Sequence, residues 1–531
     1  METIFYNGTI ITMEESSVPE AVLVREGSIA ALGSLEDVKK AAKDPEMFDL
    51  DGKCLMPSFI DPHSHILMNG QMSMFARLGT CESHQDIIDV LKAFLAEHDI
   101  DESGALLGFG YDHNFLKEGS HPNKRVLDQV STEIPILILH VSAHLACANS
   151  KALELAGITG DTPNPQGGVI GRLEGTMEPS GYLEEAGMGM VQTAVTGRIQ
   201  PDFQVVMSGM QDNYIQNGVT TIQDGATTEN DLNTLKMISA MGQLKIDVVA
   251  YPLMSSGGID LLHQNQDICH KYKNRLKIGG YKLVLDGSPQ GRSAWMSKPY
   301  LGGDPEYCGY PWLQNETVES YVKTAVEEGQ QLLAHCNGDA ASEQYLNAYE
   351  KAIKETGCHT NLRPVMIHCQ TIRNDQLDRM AKINMIASIF VGHVYYWGDV
   401  HMKNFGIERG NHISPARDAI DRGVKVNFHQ DTPVTPPDMM HSVWCAVNRI
   451  SRTGKVIGED QSVSVYEALK AVTIDAAYEY FEENLKGSIK VGKLADLVIL
   501  DQSPLAVDTM QIKSIKVLRT IKEGVTLYVN D

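Results

Sequence analysis

Apolar residues fall along this chain in two rhythms, short continuous runs and longer stretches with apolar positions at helical spacing, and their alternation predicts an architecture before any motif is read. Eight runs in the middle predict strands, at 58–63, 219–224, 246–252, 278–285, 331–336, 364–369, 385–390 and 424–430. From the second onward they are separated by roughly 15–40 residues of helix-like pattern, which implies parallel strands joined by helical crossovers. Eight such units predict an α/β fold, a (β/α)8 TIM-like barrel. The gap between the first two runs is about 155 residues and predicts an insertion over 69–198, with strands of its own near 105–111 and 136–141. Leaving directly after the first barrel strand, it is expected to lie over the barrel mouth, where substrate enters.

Both ends of the chain read as strands. The runs 3–11 and 21–30 are broken at Asn7-Gly8 and Glu26-Gly27, which predicts hairpins. Runs at 497–501, 514–519 and 525–529 repeat the pattern. Isolated hairpins are marginal alone, so one small β-sandwich built from both termini is the economical arrangement. The expected division is 1–57 with 486–531 as the composite sandwich, 58–68 with 199–485 as the barrel, and 69–198 as the insertion. A last helix over 465–481 opens with Ser464-Val465-Tyr466-Glu467, a capping-box pattern, and reads as core packing.

Composition narrows the function classes. The chain has 531 residues, 43% hydrophobic and 21% charged, as an ordinary globular protein does. Its apolar runs are far shorter than the roughly 18 residues of a membrane span. Sixty-eight acidic residues against 45 basic ones leave a net charge of −23, which repels phosphate backbones and anionic lipid, so neither nucleic acid nor membrane is expected as a partner. The first residues carry no basic segment followed by an apolar stretch, so no secretory signal is read and a cytoplasmic location is expected. Nine cysteines, none at Cys-x-x-Cys spacing, indicate neither a disulfide framework nor a zinc finger. The oligomeric state is not legible in the sequence, and a homodimer, the commonest symmetric assembly, is compatible with it.

Histidines carry the chemistry. Asp61-Pro62-His63-Ser64-His65 ends the first predicted strand, and residues two apart in extended chain face one side, so His63 and His65 can offer two imidazoles to one metal ion. The alternative is a solvated loop pair. His335, His368 and Asp431 end the fifth, sixth and eighth strands. Each alone reads equally well as a hydrogen-bonded histidine or a capping aspartate. Ligand-type residues at four strand ends are harder to dismiss, since barrel sites lie at the carboxyl ends of strands. Cys336 and Cys369, beside two of them, are expected to point away into the core. Lys282 stands where a buried strand ordinarily carries Val or Ile, and a buried ammonium is costly unless paired or chemically altered. Pairing with Asp286 is its plain explanation.

These residues, with Gly110-Tyr111-Asp112, the stretch from His140 to Ser150, the run from Gly218 to Asp224, the segment from Lys282 to Arg292 and the stretch from Gly487 to Val498, resemble the amidohydrolase superfamily. Specifically, they resemble its family 3, the group of YtcJ-like proteins and N-substituted formamide deformylases. The resemblance spans essentially the whole chain. It implies that His63 and His65 bind the more buried of two divalent ions, that His335 and His368 bind the second, and that Asp431 is both ligand and proton shuttle. Lys282 matches the lysine that becomes N6-carboxylysine in binuclear members and bridges the ions. Zinc is the first metal implied, with Mn, Fe or Co open to the same donors. The implied reaction is hydrolysis of a carbon–nitrogen, amide-type bond of a small molecule by a metal-activated hydroxide. A mononuclear deaminase of the same fold and a catalytically silent metal-binding regulatory protein are the alternatives.

Substrate contacts are expected from Tyr111, Asp112 and His113, from His140 and His144 around Ser142, and from His393 after the seventh strand. Arg292 suits a substrate carboxylate held bidentately, or equally a carboxylate of this acidic chain. The glycine-rich stretch 167–172 lacks the P-loop lysine and dinucleotide spacing, and neither Gly-x-Ser-x-Gly nor His-Glu-x-x-His occurs.

Overall fold

A computed structural model describes residues 2–14, 18–113, 115–141, 145–166, 168–199 and 203–530. The chain divides into two compact units, one of Met1–Asn69 with Gln211–Asp531 and the other of Gly70–Met210. The first unit holds a TIM-barrel-like set of parallel strands and a pair of terminal sheets.

The barrel strands lie in two arcs. Phe59–Ile60, Val219–Thr227, Asp247–Pro252 and Leu276–Ile278 form one, and Gly280–Val284, Gln331–Cys336, Val365–His368, Ile386–Ile389 and Val426–Phe428 form the other, all neighbours parallel. The fourth predicted strand is therefore in two pieces, parted at Gly279. Glycine is required there: a Cβ on Gly279 would stand 2.5 Å from the ring of Tyr251, and one on Gly280 would collide with the carbonyl of Gln331. The arcs meet again where a bridge links Leu253 to Lys282. On the opposite side Asp431 N–H donates to His63 O at 3.1 Å and His65 N–H to Thr432 O at 2.8 Å. Helices such as Asn315–Glu327 and Asp339–Thr356 separate the strands, and Ile60, Val249, Leu333, Val365, Ile367 and Ile386 fill a shared core.

The terminal strands make two sheets over one core. Ser28–Gly33, Ala21–Arg25, Glu2–Tyr6 and Glu46–Asp49 form the first; Thr9–Ile10, Cys54–Pro57, Leu497–Leu500, Val517–Lys522 and Val525–Val529 form the second. Phe5, Val22, Leu55, Leu497 and Ile521 pack between them. Glu26-Gly27 does turn a hairpin, but Asn7-Gly8 does not: left-handed Asn7 (φ 59°) sends the chain from one sheet to the other. The strand expected at 514–519 begins at Val517, because Asp508 caps a 3-10 turn over Thr509–Ser514. The last helix is two, Val465–Ala471 and Ile474–Glu479, since the carbonyl of Val472 accepts from Ile60 N–H of the first barrel strand instead of continuing the helix. Its capping box at Ser464 and Glu467 is formed.

In the second unit six strands run in the order Gly168–Arg172, Pro179–Glu185, Leu145–Ala148, Ile136–His140, Leu106–Tyr111, Phe75–Arg77. Side chains alternate between two cores, Leu107 and Leu137 with Val191 on one face, Leu106 and Ile138 with Ile87 on the other. Among the described residues no helix is long and apolar enough to cross a membrane.

Candidate metal centre

At the carboxyl ends of the barrel strands the chain turns sharply, and the side chains that carry the chemistry sit on those turns. His368 (φ 76°) and Asp431 (φ 54°) are left-handed, a conformation costly for residues with a Cβ and concentrated at functional sites. Cys369 (φ 47°) is left-handed as well, so strict alternation of an extended strand does not hold there. Cys336 and Cys369 are nonetheless buried, and burial pushes both thiols up.

His63, His65 and Asp431 converge. Asp431 Oδ1 lies 3.4 Å from His63 Nε2 and 3.2 Å from His65 Nε2, and the three ligand atoms fall within 4.8 Å of one another. The tautomer of His63 is set from behind. Gln223 donates its amide to Pro62 O at 2.6 Å, which turns Gln223 Oε1 toward His63 Nδ1 at 2.7 Å. Nδ1 must then carry the proton, leaving the Nε2 lone pair for the centre. Gly225 makes room for this: a Cβ there would stand 2.5 Å from His63 Cε1.

Electrostatics favour a cation in the middle. Burial drives His63 and His368 well below the usual histidine range, so both rings are neutral. Burial opposes ionisation of Asp431, yet the His65 ring beside it holds its carboxyl well below the usual carboxylate range. Asp431 Oδ1 nevertheless has no well-formed hydrogen bond and is an orphaned buried acceptor. This donor set of lone pairs aimed at one space fits a divalent ion.

Lys282 is buried and lies 3.4 Å from His63 Nε2. Burial pushes its amine down to about 8. Its expected partner Asp286 is engaged elsewhere, accepting the backbone N–H groups of Trp295, Asn337 and Gly338 at 2.7–3.0 Å and facing His335 Nδ1 at 3.2 Å. The ring of His335 adjoins that of His368 at 4.4 Å, and His368 adjoins His63 at 5.6 Å.

One ring at the centre escaped sequence reading. His429 is fully buried, with Nε2 3.2 Å from His368 Nδ1, Nδ1 3.0 Å from Ser388 Oγ, and its pKa pushed down to about 3 by burial. Behind it Asn427 donates to Glu479 at 2.7 Å, and burial raises the Glu479 carboxyl to about 8. The available signal was alternation: polar Lys425, Asn427 and His429 alternate with apolar Val424, Val426 and Phe428.

Of the remaining expected contacts, His393 and Arg292 belong to the first unit. His393 is buried, paired through Nδ1 with His401 Nε2 at 3.0 Å and packed edge-on against Phe390. Arg292 gives its guanidinium to the carbonyls of Leu301 and Gly302 and to Asn404, in place of any carboxylate. Tyr111, Asp112, His113 and His140 form a group of their own in the second unit. There the hydroxyl of Tyr111 meets His121 Nδ1 at 2.9 Å and Cys147 Sγ at 3.3 Å. His144 lies outside the described residues.

The family model described as "Amidohydrolase family" matches residues 46–528. YtcJ of Bacillus subtilis (strain 168) is 28% identical over 99% of this chain and 99% of its own. The N-substituted formamide deformylase of Arthrobacter pascens is 27% identical over 98% of this chain and 97% of its own. Among solved structures, an uncharacterized metal-dependent hydrolase from Pyrococcus horikoshii OT3 superposes with a TM-score of 0.74 at 25% identity, covering 96% of this chain and 99% of that one.

Proposed function

Because the chain belongs to the amidohydrolase family, we propose that it is a metal-dependent hydrolase acting on a carbon–nitrogen, amide-type bond of a small molecule. The observation that carries this is the convergence of His63, His65 and orphaned Asp431 Oδ1 at the strand ends. The hydrolase character is supported by the metal-dependent relative from Pyrococcus horikoshii, and the bond type by the formamide deformylase. The catalytic frame of the proposal is a (β/α)8 barrel over 58–68 with 199–485, beside a composite sandwich of 1–57 with 486–531.

His63 and His65 would hold the more buried ion, His335 and His368 a second, and Asp431 would be a ligand as well. When bound, divalent ions lower the pKa of a coordinated water to about 7 and polarise a carbonyl. The chain's own part is proton handling and orientation. Asp431, kept ionised by the His65 ring beside it, takes the proton from the attacking water and delivers it to the departing nitrogen. Gln223 keeps His63 in the ligand tautomer. Lys282 is proposed as N6-carboxylysine: its buried amine, pushed down to about 8, adds carbon dioxide, loses a proton and becomes an anionic oxygen donor. Zinc is the proposed ion, with Mn, Fe and Co compatible with these donors.

Dialysis against EDTA is expected to abolish hydrolysis across a panel of N-formyl, N-acyl and cyclic amides, and added zinc or manganese to restore it. Undiminished turnover by a preparation verified as metal-free overturns the proposal. Ammonia release from a ring substrate, with one barrel ion and unmodified Lys282, replaces it with a deaminase.

A further inference from the structure

The second unit carries a triangle of ligand atoms built like the one in the barrel. His113 Nδ1 and His140 Nε2 are 3.2 Å apart, and Asp112 Oδ1 is 3.8 Å from the first and 3.6 Å from the second. Four ligands about 2.0–2.1 Å from a tetrahedral ion stand roughly 3.3 Å from one another. The barrel triangle, with edges of 3.2 and 3.4 Å, has the same scale.

The backbone has been bent to make this arrangement. Leu106–Tyr111 and Ile136–His140 are adjacent parallel strands, and the three residues sit at or just beyond their carboxyl ends, where open α/β sheets bind ligands. The register is regular up to Leu139 opposite Phe109 and then skips, pairing His140 with Tyr111. Gly110 is the extra residue of that bulge, with φ +101°, and a bulge of this kind re-aims the side chain beside it. Neighbouring rings then fix the imidazoles. His121 stacks on His113 at 4.0 Å and is anchored through Nδ1 by the Tyr111 hydroxyl, while the Tyr111 ring meets His140 edge-on at 5.2 Å.

We propose that Asp112, His113 and His140 form a second, mononuclear site for a first-row divalent cation, with Asp112 Oδ1, His113 Nδ1 and His140 Nε2 as ligands. Asp112 and His113 are only half-buried, which leaves coordination open to water or to a carboxylate- or carbonyl-bearing ligand. The competing explanation is a hydrogen bond between two imidazoles beside an aspartate.

Metal counting on the full chain separates the two. In a His63→Ala/His65→Ala/His335→Ala/His368→Ala background, loaded with Zn²⁺ and desalted, about one ion per chain is expected to remain, and adding Asp112→Asn or His113→Ala removes it. Loaded with Co²⁺ instead, the background protein is expected to show visible ligand-field absorption that the added substitution abolishes. Asp112→Asn keeps the side-chain shape, so with unchanged circular dichroism and melting it decides the matter even where His113→Ala fails to fold. In the otherwise wild-type chain the same change should lower the zinc count by one. A count that Asp112→Asn leaves unchanged in both backgrounds overturns the site. Amide hydrolysis is read separately, so a catalytically silent protein that still loses one zinc with Asp112→Asn sinks the proposed function and keeps this site.

Discussion

Gly225 is a position at which the barrel centre has no room for a side chain. A methyl group there would stand 2.5 Å from Cε1 and 2.7 Å from Nδ1 of His63, and 3.0 Å from the Gln223 oxygen that fixes its tautomer. Gly225→Ala should therefore leave the fold intact and weaken metal binding by roughly 10–100-fold, the usual effect of disturbing an outer-shell partner. Chelator competition measures it, and wild-type affinity would show that His63 does not depend on Gln223. Asp431→Asn removes both the proposed ligand oxygen and the proposed proton carrier. With metal restored at high zinc, kcat is expected to fall by about 10²–10⁴, and the acid limb of the kcat profile to disappear. An unchanged profile would assign the proton transfer to another group.

Among elements, the tie between barrel and terminal sheet is electrostatic. Asp247, opening the third barrel strand, meets Lys486 and Lys522 at 2.5 Å and Arg275 at 3.1 Å, and Lys522 reaches Asp496 at 2.7 Å. Burial alone would raise the Asp247 carboxyl, but Lys486 and Lys522 hold it well below the usual range. A depressed folded-state pKa gives stability that is complete above the unfolded value of about 3.9 and is lost as pH falls toward the folded one. The contribution of Asp247 to the urea midpoint, read as the difference between the native chain and an Asp247→Asn variant, should hold from pH 8 to about 5 and shrink below 4. Asp247→Asn strands buried ammonium groups and should cost about 3–5 kcal/mol at pH 7. A substitution without effect on the midpoint would make the network incidental.

The same scale shows why the sequence was legible where it was. Lys282 and the strand-end histidines were readable because a charged or ligating side chain in a buried apolar run has few innocent explanations. His429 was not, since attention to strand ends passed over a residue lodged between Phe428 and Gln430. The break at Gly279 was hidden because periodicity runs straight through it, and only the crowding of Tyr251 and Gln331 demands it. Asp112, His113 and His140 were visible as polar residues after strands, but their mutual distances depend on a bulge, and a one-residue slip leaves no composition signal.

For the whole molecule, each of the two units has its own buried clusters, so unfolding is not expected to be a single event. Calorimetry should resolve at least two transitions, and EDTA should lower both, because an ion that binds only the native state stabilises the unit that holds it by mass action. One transition with equal calorimetric and van't Hoff enthalpies would contradict this.

The broken fourth strand sets a condition for anyone who would transplant the barrel centre into another scaffold. His63 and His65 follow the first strand of one arc, whereas Lys282, His335, His368 and Asp431 belong to the other. The spacing between the two donor groups is thus written in the joints, at Gly279-Gly280 and where Asp431 donates to His63 O, more than in the donors themselves. Copying the candidate ligands onto a seamless barrel would reproduce the chemistry of the parts and lose the spacing between the two groups, so a graft has to carry the two glycines with it.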